Sequence, residues 1–543
     1  MPHEFVPLSE HIVDALLEAD PNLASSAGDH RFDDRLPDLS TEAIAGDIDM
    51  LRDASAALSQ VDIDALDAQE QVDHAVLLAR VERALFERTD IREAEWDPLV
   101  HNPGTLLHDL ISRPFAPAEQ RLVSLASRLS AIPDALSTAR SVLGDMPRVH
   151  VETAIGQFTG TAQLVREEFA GLLAQAPDLA PSVNPLRERA VEELESFVGW
   201  LRRSLEESGE SGGRDPRLGR RLWEARLWHA LDTELTAAEV LARAEANLER
   251  ASGELREAAA AFTGGPANDD TVRAALDRLA GEHPDNATIV AEAKVSLDEA
   301  TSFVRQHDLV TLIDDPLVIM EMPEFSRGVA IAYCDPPGLL ETAELPTFFC
   351  ISPTPADWSD ERVRSFYREY NSHMLRNLTV HEATPGHFLQ LAHSRRFRGV
   401  TRARALGLSG PFVEGWAAYA EELMVEHGFG GLPIRLQQLK MHLRMTINAI
   451  LDQRVHCDGM TEEEAMALMT GRGFQEEGEA AGKWRRALLT STQLSTYFVG
   501  YTEVADIARS RPANISLRDW HDAMLAHGSP PPRHVRALLS PGG

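Results

Sequence analysis

Basic residues are in the minority: 52 Lys and Arg stand against 85 Asp and Glu, a formal charge of −33 over 543 residues. A nucleic-acid binder or a protein of anionic membrane surfaces draws its affinity from neutralised phosphates, so this balance argues against both. Cysteine is nearly absent. Cys334, Cys350 and Cys457 are an odd number and share no C-x-x-C spacing. That excludes a disulfide framework and leads us to expect reduced thiols in a reducing compartment. No window of about 18 residues is apolar and free of charge, so no membrane-spanning helix is expected. The opening MPHEFVPLSEHIVDALLEAD has no basic segment ahead of an apolar run and does not read as a signal peptide. A cytoplasmic location is the resulting expectation. Three motifs are missing as well. There is no G-x-x-x-x-G-K-[ST] for nucleotides, and GLSGPF is not the G-x-S-x-G elbow of a serine hydrolase. No paired E-x-x-H helices suggest a di-iron bundle.

What is present is an ordinary globular composition, 43% hydrophobic and 25% charged, long enough for about three domains or one large fold. From about residue 5 to 310, apolar residues recur at three and four. In the stretch 186–205, Val191, Leu194, Phe197, Val198 and Leu201 share one helical face. Thr236 and Glu239 have capping-box spacing ahead of a long helix. SGESGGRDPRL, 208–218, reads as a turn or exposed loop. Between about 309 and 353 the texture changes to short β-branched or aromatic runs bounded by proline at 316, 323, 336, 337, 346 and 353. These predict three or four strands of a small antiparallel sheet, with the prolines at ends and edges. Helical patterning then resumes. The expected fold is mainly α, with a helical region over 1–305 and a small sheet plus helical catalytic region over 306–543, together forming one continuous fold.

The chemistry concentrates in LTVHEATPGHFLQLAHSRR and GPFVEGWAAYAEELMVEHG. His381 and His387 are six apart, Glu382 adjoins the first, and Glu414 follows 27 residues after the second. Two imidazoles and one carboxylate, with a coordination position left open, are what a catalytic zinc needs. Glu382 is placed to take a proton from a water that the metal activates. On a regular helix, residues six apart point roughly 120° away from each other. The two histidines share a metal only if the helix deforms between them, and Pro385 and Gly386 are there to deform it. Glu421 lies seven after Glu414 on one face. Glu421 or Glu422 is an alternative ligand, or a partner for a histidine N–H.

These motifs resemble the bacterial family known as domain of unknown function 885, with H-E-A-x-P-G-H followed by E-G-W-A-x-Y. The resemblance runs the length of the chain. It includes an opening block at SEHIVDALLEADPNLASSAGDHRFDDRLPDLS and a later block carried by Arg444, Asp452 and His456. Gln493, Tyr497 and Gly500 in QLSTYFVGY, and His521 and Gly528 near the end, complete it. Phe388 departs from the pattern, since many members carry a second histidine there. The resemblance implies a relation to helical zinc metallopeptidases with a deep central groove.

The donor for a developing oxyanion is open between Tyr497, Tyr501 and His456. Arg444 and Asp452 stand for a buried ion pair with other groups or for capture of a substrate carboxylate. His393 reads as an exposed helix residue, and Trp416 and Tyr419 as packing residues. Phe348, Phe349 and Ile351 read as core, with strand addition of a substrate as the other possibility. The leading functional reading is a zinc-dependent hydrolase, a metallopeptidase for short peptides. The alternatives are a zinc amidohydrolase acting on a non-peptide amide, and a metal-binding protein without activity, against which Glu382 argues. The expected partner is a peptide or small amide, with no nucleic acid and no membrane; oligomeric state stays open.

Overall fold

The computed structural model describes residues 5–209, 212–322, 331–355 and 358–540. The protein is mainly α, with one small three-stranded sheet. Apolar periodicity decides the helices. Ala180–Ser208 buries Val191, Leu194, Phe197, Val198 and Leu201, and each such side chain removed from water contributes about 1.5–3 kcal/mol. The capping box forms as expected. Thr236 Oγ1 accepts from the Glu239 N–H at 3.3 Å, and the Glu239 carboxylate accepts from the Thr236 N–H at 2.9 Å. Of the loop expected over 208–218, residues 210 and 211 lie outside the described residues.

The chain gathers into two compact units. The first comprises 1–216, 337–345 and 399–406; the second comprises 217–336, 346–398 and 407–543. The division expected near 305 falls inside the second unit and coincides with none of these breaks. Helix Ala237–Thr263 packs on Gly431–Asp458 inside the second unit, through a core that includes Leu248, Leu255, Leu443 and Ile450. The first unit is helical, with Leu129, Phe158, Leu194 and Phe197 at the centre of one of its cores.

The sheet belongs to the second unit. Strands β1 (Leu317–Glu321), β2 (Ala332–Asp335) and β3 (Thr347–Ile351) lie in the order β1-β3-β2. The expectation of an antiparallel sheet is corrected. β1 pairs β3 in parallel, Leu317 opposite Thr347, while β2 pairs β3 antiparallel, Ala332 opposite Ile351. The chain between β1 and β3 exceeds the dozen or so residues that a parallel connection needs. β3 is therefore the central strand, with Phe349 and Ile351 fully buried, so no substrate strand can add to it. Prolines 316, 336, 337, 346 and 353 do sit at strand ends, and Pro323 lies outside the described residues.

Six helices of the second unit carry the site: α1 (Ser372–Glu382), α2 (His387–Ser394), α3 (Gly410–Glu426), α4 (Gly431–Asp458), α5 (Glu477–Leu489) and α6 (Thr496–Arg509).

Candidate metal centre

Asn371 starts α1 by accepting from the His373 and Met374 N–H groups, both at 3.1 Å. The helix ends at Glu382, and α2 begins at His387. The six-residue spacing is thus met by two helices with a four-residue corner between them, where one bent helix was expected. Ala383 turns out of the helix at φ −119°, ψ −92°, and the Thr384–Pro385 peptide is cis. Three hydrogen bonds hold the corner. The Gly386 N–H reaches Val380 O at 3.0 Å, the Leu389 N–H reaches Ala383 O at 3.2 Å, and the Trp416 indole N–H donates to Pro385 O at 2.8 Å. Gly386 has φ −72°, so no left-handed φ calls for glycine there. A Cβ would lie 1.9 Å from His381 O and 2.4 Å from Val380 O; glycine supplies space.

The corner turns both imidazoles toward one carboxylate. His381 Nε2 and His387 Nε2 each lie 3.5 Å from Glu414 Oε2. One ligand atom from each residue falls within 4.8 Å of the others, and the two rings meet edge to face at 84°. A tetrahedral ion with bonds of about 2.0–2.1 Å keeps its ligands about 3.3 Å apart. The 3.5 Å separations match that edge and are long for a hydrogen bond. Glu414 Oε2 is buried and has no hydrogen-bond partner among the described residues, as suits an atom whose partner is a cation. The donor set therefore fits a tetrahedral metal with one position open.

Glu421 aims the first histidine. Its Oε1 pairs with His381 Nδ1 at 2.7 Å, and its Oε2 accepts from Asn377 Nδ2 at 2.6 Å. With Nδ1 held by a carboxylate, Nε2 is the nitrogen left to face Glu414. His387 Nδ1 has no partner among the described residues. Burial alone would lower the His381 pKa, but Glu414 and Glu421 more than offset it and raise it well above the ordinary value. The same attraction, against the opposing effect of burial, pulls the Glu414 carboxyl below its usual range. Glu382 is buried, and burial pushes its carboxyl up despite both histidines and the Cys334 main-chain N–H.

Tyr497 stands on α6, which packs against α3. α3 and α6 run in the same direction: Gly410 lies beside Thr496, Gly415 against Gly500, and Glu422 accepts from the Tyr501 hydroxyl at 2.6 Å. At the closest point backbone meets backbone. A Cβ on Gly415 would sit 2.3 Å from the Gly500 carbonyl, and one on Gly500 would sit 2.1 Å from Pro411 O. At about 100° per residue, Glu414 falls roughly 80° behind the contact line on α3, and Tyr497 roughly 80° ahead of it on α6. On parallel right-handed helices those two offsets project to the same flank, which also carries Glu421. The Tyr497 oxygen accepts from Arg486 at 3.2 Å and Gln493 at 3.4 Å.

The other candidates are engaged elsewhere. His456 Nδ1 accepts from the Leu218 N–H at 3.3 Å, and its Nε2 donates to Ala487 O and Thr490 O, both at 2.9 Å. Tyr501 is bound to Glu422 and Arg509. Asp452 accepts from Trp223 Nε1, the Thr492 N–H and Ser495, so it ties helices together. Arg444 pairs with Glu479 and with the Tyr370 hydroxyl. His393 Nε2 holds Thr311 O at 2.8 Å. His521 bridges Leu309 O and the Tyr419 hydroxyl, and burial brings its pKa down to about 4. Asn377, the Trp416 clamp and the Gly415–Gly500 contact escaped the sequence reading. Only the four-residue step from Asn377 to His381 hinted at a shared face.

Comparison with known proteins extends over the whole chain. A family described as "Bacterial protein of unknown function (DUF885)" matches residues 21–539. A solved structure from Shewanella oneidensis, named as a candidate lipoprotein of unknown function, is 28% identical with a TM-score of 0.82, covering 98% of each chain. Another, named as a candidate lipoprotein from Colwellia psychrerythraea, is 17% identical with a TM-score of 0.79 over 98% of this chain and 97% of that one. An M32 carboxypeptidase from Deinococcus radiodurans R1 aligns over 91% of this chain and 90% of its own at 11% identity, with a TM-score of only 0.27. No curated protein matches in sequence. The cytoplasmic expectation is corrected by these relatives, since lipoproteins are held at a membrane surface by a lipid. Cysteine count and the lack of an apolar run do not report on such an anchor. Among the described residues no helix is long and apolar enough to cross a membrane. The match over 21–539 makes the chain a member of the bacterial DUF885 family.

Proposed function

We propose that this protein is a zinc-dependent hydrolase that cleaves peptide bonds in short peptides. The observation that carries the reading is the convergence of His381, His387 and Glu414, with ligand atoms within 4.8 Å of one another and both imidazoles 3.5 Å from Glu414 Oε2, and with Glu382 directly after the first ligand. A zinc ion held by that set would supply a Lewis acid for the scissile carbonyl and would lower the pKa of a water. Glu382 takes no part in the ligand set, and its buried carboxylate is the group that accepts a proton from that water and returns it to the leaving amine. Glu421 and Asn377 fix the tautomer and direction of His381. Tyr497 is the preferred oxyanion donor. Both neighbours that bind its oxygen are donors, Arg486 and Gln493, so its own O–H proton is free to be given. His456 has both nitrogens bound to main chain and Tyr501 donates to Glu422, so neither is free for this role.

The test couples metal content to turnover on a peptide library. Wild-type protein should hold about one zinc per chain and cleave library members. Glu382→Gln should retain the zinc and lose about 10²–10⁴-fold in rate. Near wild-type turnover in Glu382→Gln would refute the assignment of the base. Zinc bound with no peptide cleaved, but with hydrolysis of a simple aryl amide, would replace peptidase with amidohydrolase.

A further inference from the structure

One turn of α5 presents two cations to the Tyr497 flank, and the carboxylates nearby are already taken. Lys483 is 6% exposed, and among the described residues no hydrogen bond or ion pair holds its ammonium. Arg486, three residues on and so on the same helical face, binds one group, the neutral Tyr497 hydroxyl at 3.2 Å. The local charges do not balance. Glu369 is occupied by Lys440 at 2.8 Å, and Glu479 by Arg444 and the Tyr370 hydroxyl. Four cations, Lys440, Arg444, Lys483 and Arg486, thus stand against two anions, Glu369 and Glu479. This excess sits in a chain whose formal charge is −33, where acidic partners are plentiful.

A buried charge without a counter-charge is expensive and persists where a ligand completes it. Gln493 adds a polar group to the same place. Its amide nitrogen donates to Tyr497, and its oxygen is buried with no partner among the described residues. Arg486 therefore adjoins the hydroxyl proposed to act on the scissile carbonyl, and Lys483 stands one turn before it on the same face of α5.

We propose that Lys483 and Arg486 are an anchor for a carboxylate on the amine side of the scissile amide, so that the enzyme selects substrates ending in a free carboxylate close to the bond it cleaves. One carboxylate oxygen accepts from the Lys483 ammonium and the other from the Arg486 guanidinium. The inference rests on the hydrolase reading and narrows it: short peptides with a free C-terminus, or N-acyl amino acids, and not the interior of a long chain. Its electrostatic signature agrees. Burial and repulsion from Arg444 and Arg486, against attraction to Glu479 and Glu369, lower the Lys483 pKa well below that of an ordinary lysine, and an arriving anion favours its charged form.

Binding and cleavage are measured separately, so that this anchor and the hydrolase reading fail independently. Metal-stripped full-length protein, which turns nothing over, is titrated calorimetrically with N-acetyl-Ala-Ala, with its C-terminal amide and with N-acetyl-Ala. The acid should bind at least tenfold more tightly than the amide. Lys483→Met should bring that ratio below about threefold, and Lys483→Arg should restore most of it. A purely structural lysine would not show this pattern, and removing an uncompensated cation should raise the melting temperature of the ligand-free variant. Arg486→Gln is the second variant, expected to weaken acid binding alone should Lys483→Met fold poorly. Equal binding of acid and amide by the wild type, or a full acid preference in both variants, overturns the anchor. N-acetyl-Ala binding as tightly as the dipeptide acid places the carboxylate one residue from the acyl group and assigns N-acyl amino acids; much weaker binding assigns peptides. Acid preference in binding with no cleavage by the zinc-loaded protein overturns the hydrolase reading and leaves the anchor standing. Equal cleavage of acid and amide does the reverse.

Discussion

Glu421→Gln isolates the interaction that aims the first histidine. Both carboxylate oxygens of Glu421 are used, Oε1 by His381 Nδ1 at 2.7 Å and Oε2 by Asn377 Nδ2 at 2.6 Å, and the residue is buried. Glutamine keeps the shape and offers one acceptor in place of two. Its NH₂ must face either the His381 N–H or the Asn377 NH₂, donor against donor. One bond is lost, the other loses its charge assistance, and His381 is freed to turn. Removing such an outer partner of a metal-ligating histidine costs about 10–100-fold in affinity, which is about 1.4–2.7 kcal/mol. Competition with a chromophoric chelator measures zinc affinity over that range. Glu422→Gln is the matched control, one residue away and bound to Tyr501 and Arg509; it should leave zinc affinity unchanged. An affinity within twofold of wild type for Glu421→Gln, or an equal loss in both variants, would refute the orienting role.

Gly386→Ala should cost the fold and the metal together. Its Cβ would meet main-chain oxygens at 1.9 and 2.4 Å, so the corner must move, with overpacking of about 1–3 kcal/mol. Calorimetry showing an unchanged melting temperature together with unchanged zinc affinity would contradict this. His387→Ala should lose most of the zinc, read by elemental analysis, and full occupancy in a His381→Ala/His387→Ala protein would disprove the site. Glu503 gives a pH test remote from the metal. It is buried on α6, Thr233 Oγ1 donates to it at 2.9 Å, and burial lifts its carboxyl from 4.5 to about 7. A pKa raised by folding means that ionisation opposes the fold. The penalty is absent below about pH 4.5, grows as pH rises, and is complete above about pH 7, where it reaches roughly 3 kcal/mol. Glu503→Gln should therefore match wild type near pH 4 and exceed it in denaturant stability by about that amount at pH 8.5. A difference that stays flat with pH would show that Glu503 is not ionising in the fold.

The helical body was legible because amphipathic spacing is local. Val191, Leu194, Phe197, Val198 and Leu201 need only their own helix to declare a face, and the Thr236–Glu239 box is closed within four residues. Sheet direction was not legible, since alternation along β1 and β3 says which side chains are buried and nothing about which strand pairs or which way it runs. The metal residues were readable because ligand chemistry restricts residue type. The manner of their convergence was not: the sequence suggested a deformed helix, and the structure breaks it and uses Gly386 for room. His456 shows the opposite limit. A histidine within a recognisable block suggests chemistry, and only its three main-chain partners reveal that it joins the 218 and 487–490 segments to α4.

The Gly415–Gly500 contact acts as a fixed spacer. Where side chains separate two helices, substitution resets the gap; here peptide groups already touch, and the gap has no residue left to trim. The separation between the Glu414 flank and the Tyr497 flank is then insensitive to drift in the surrounding core. Substitution on α5 or at Gln493 then changes what reaches Tyr497 without changing the span from carboxylate to phenol.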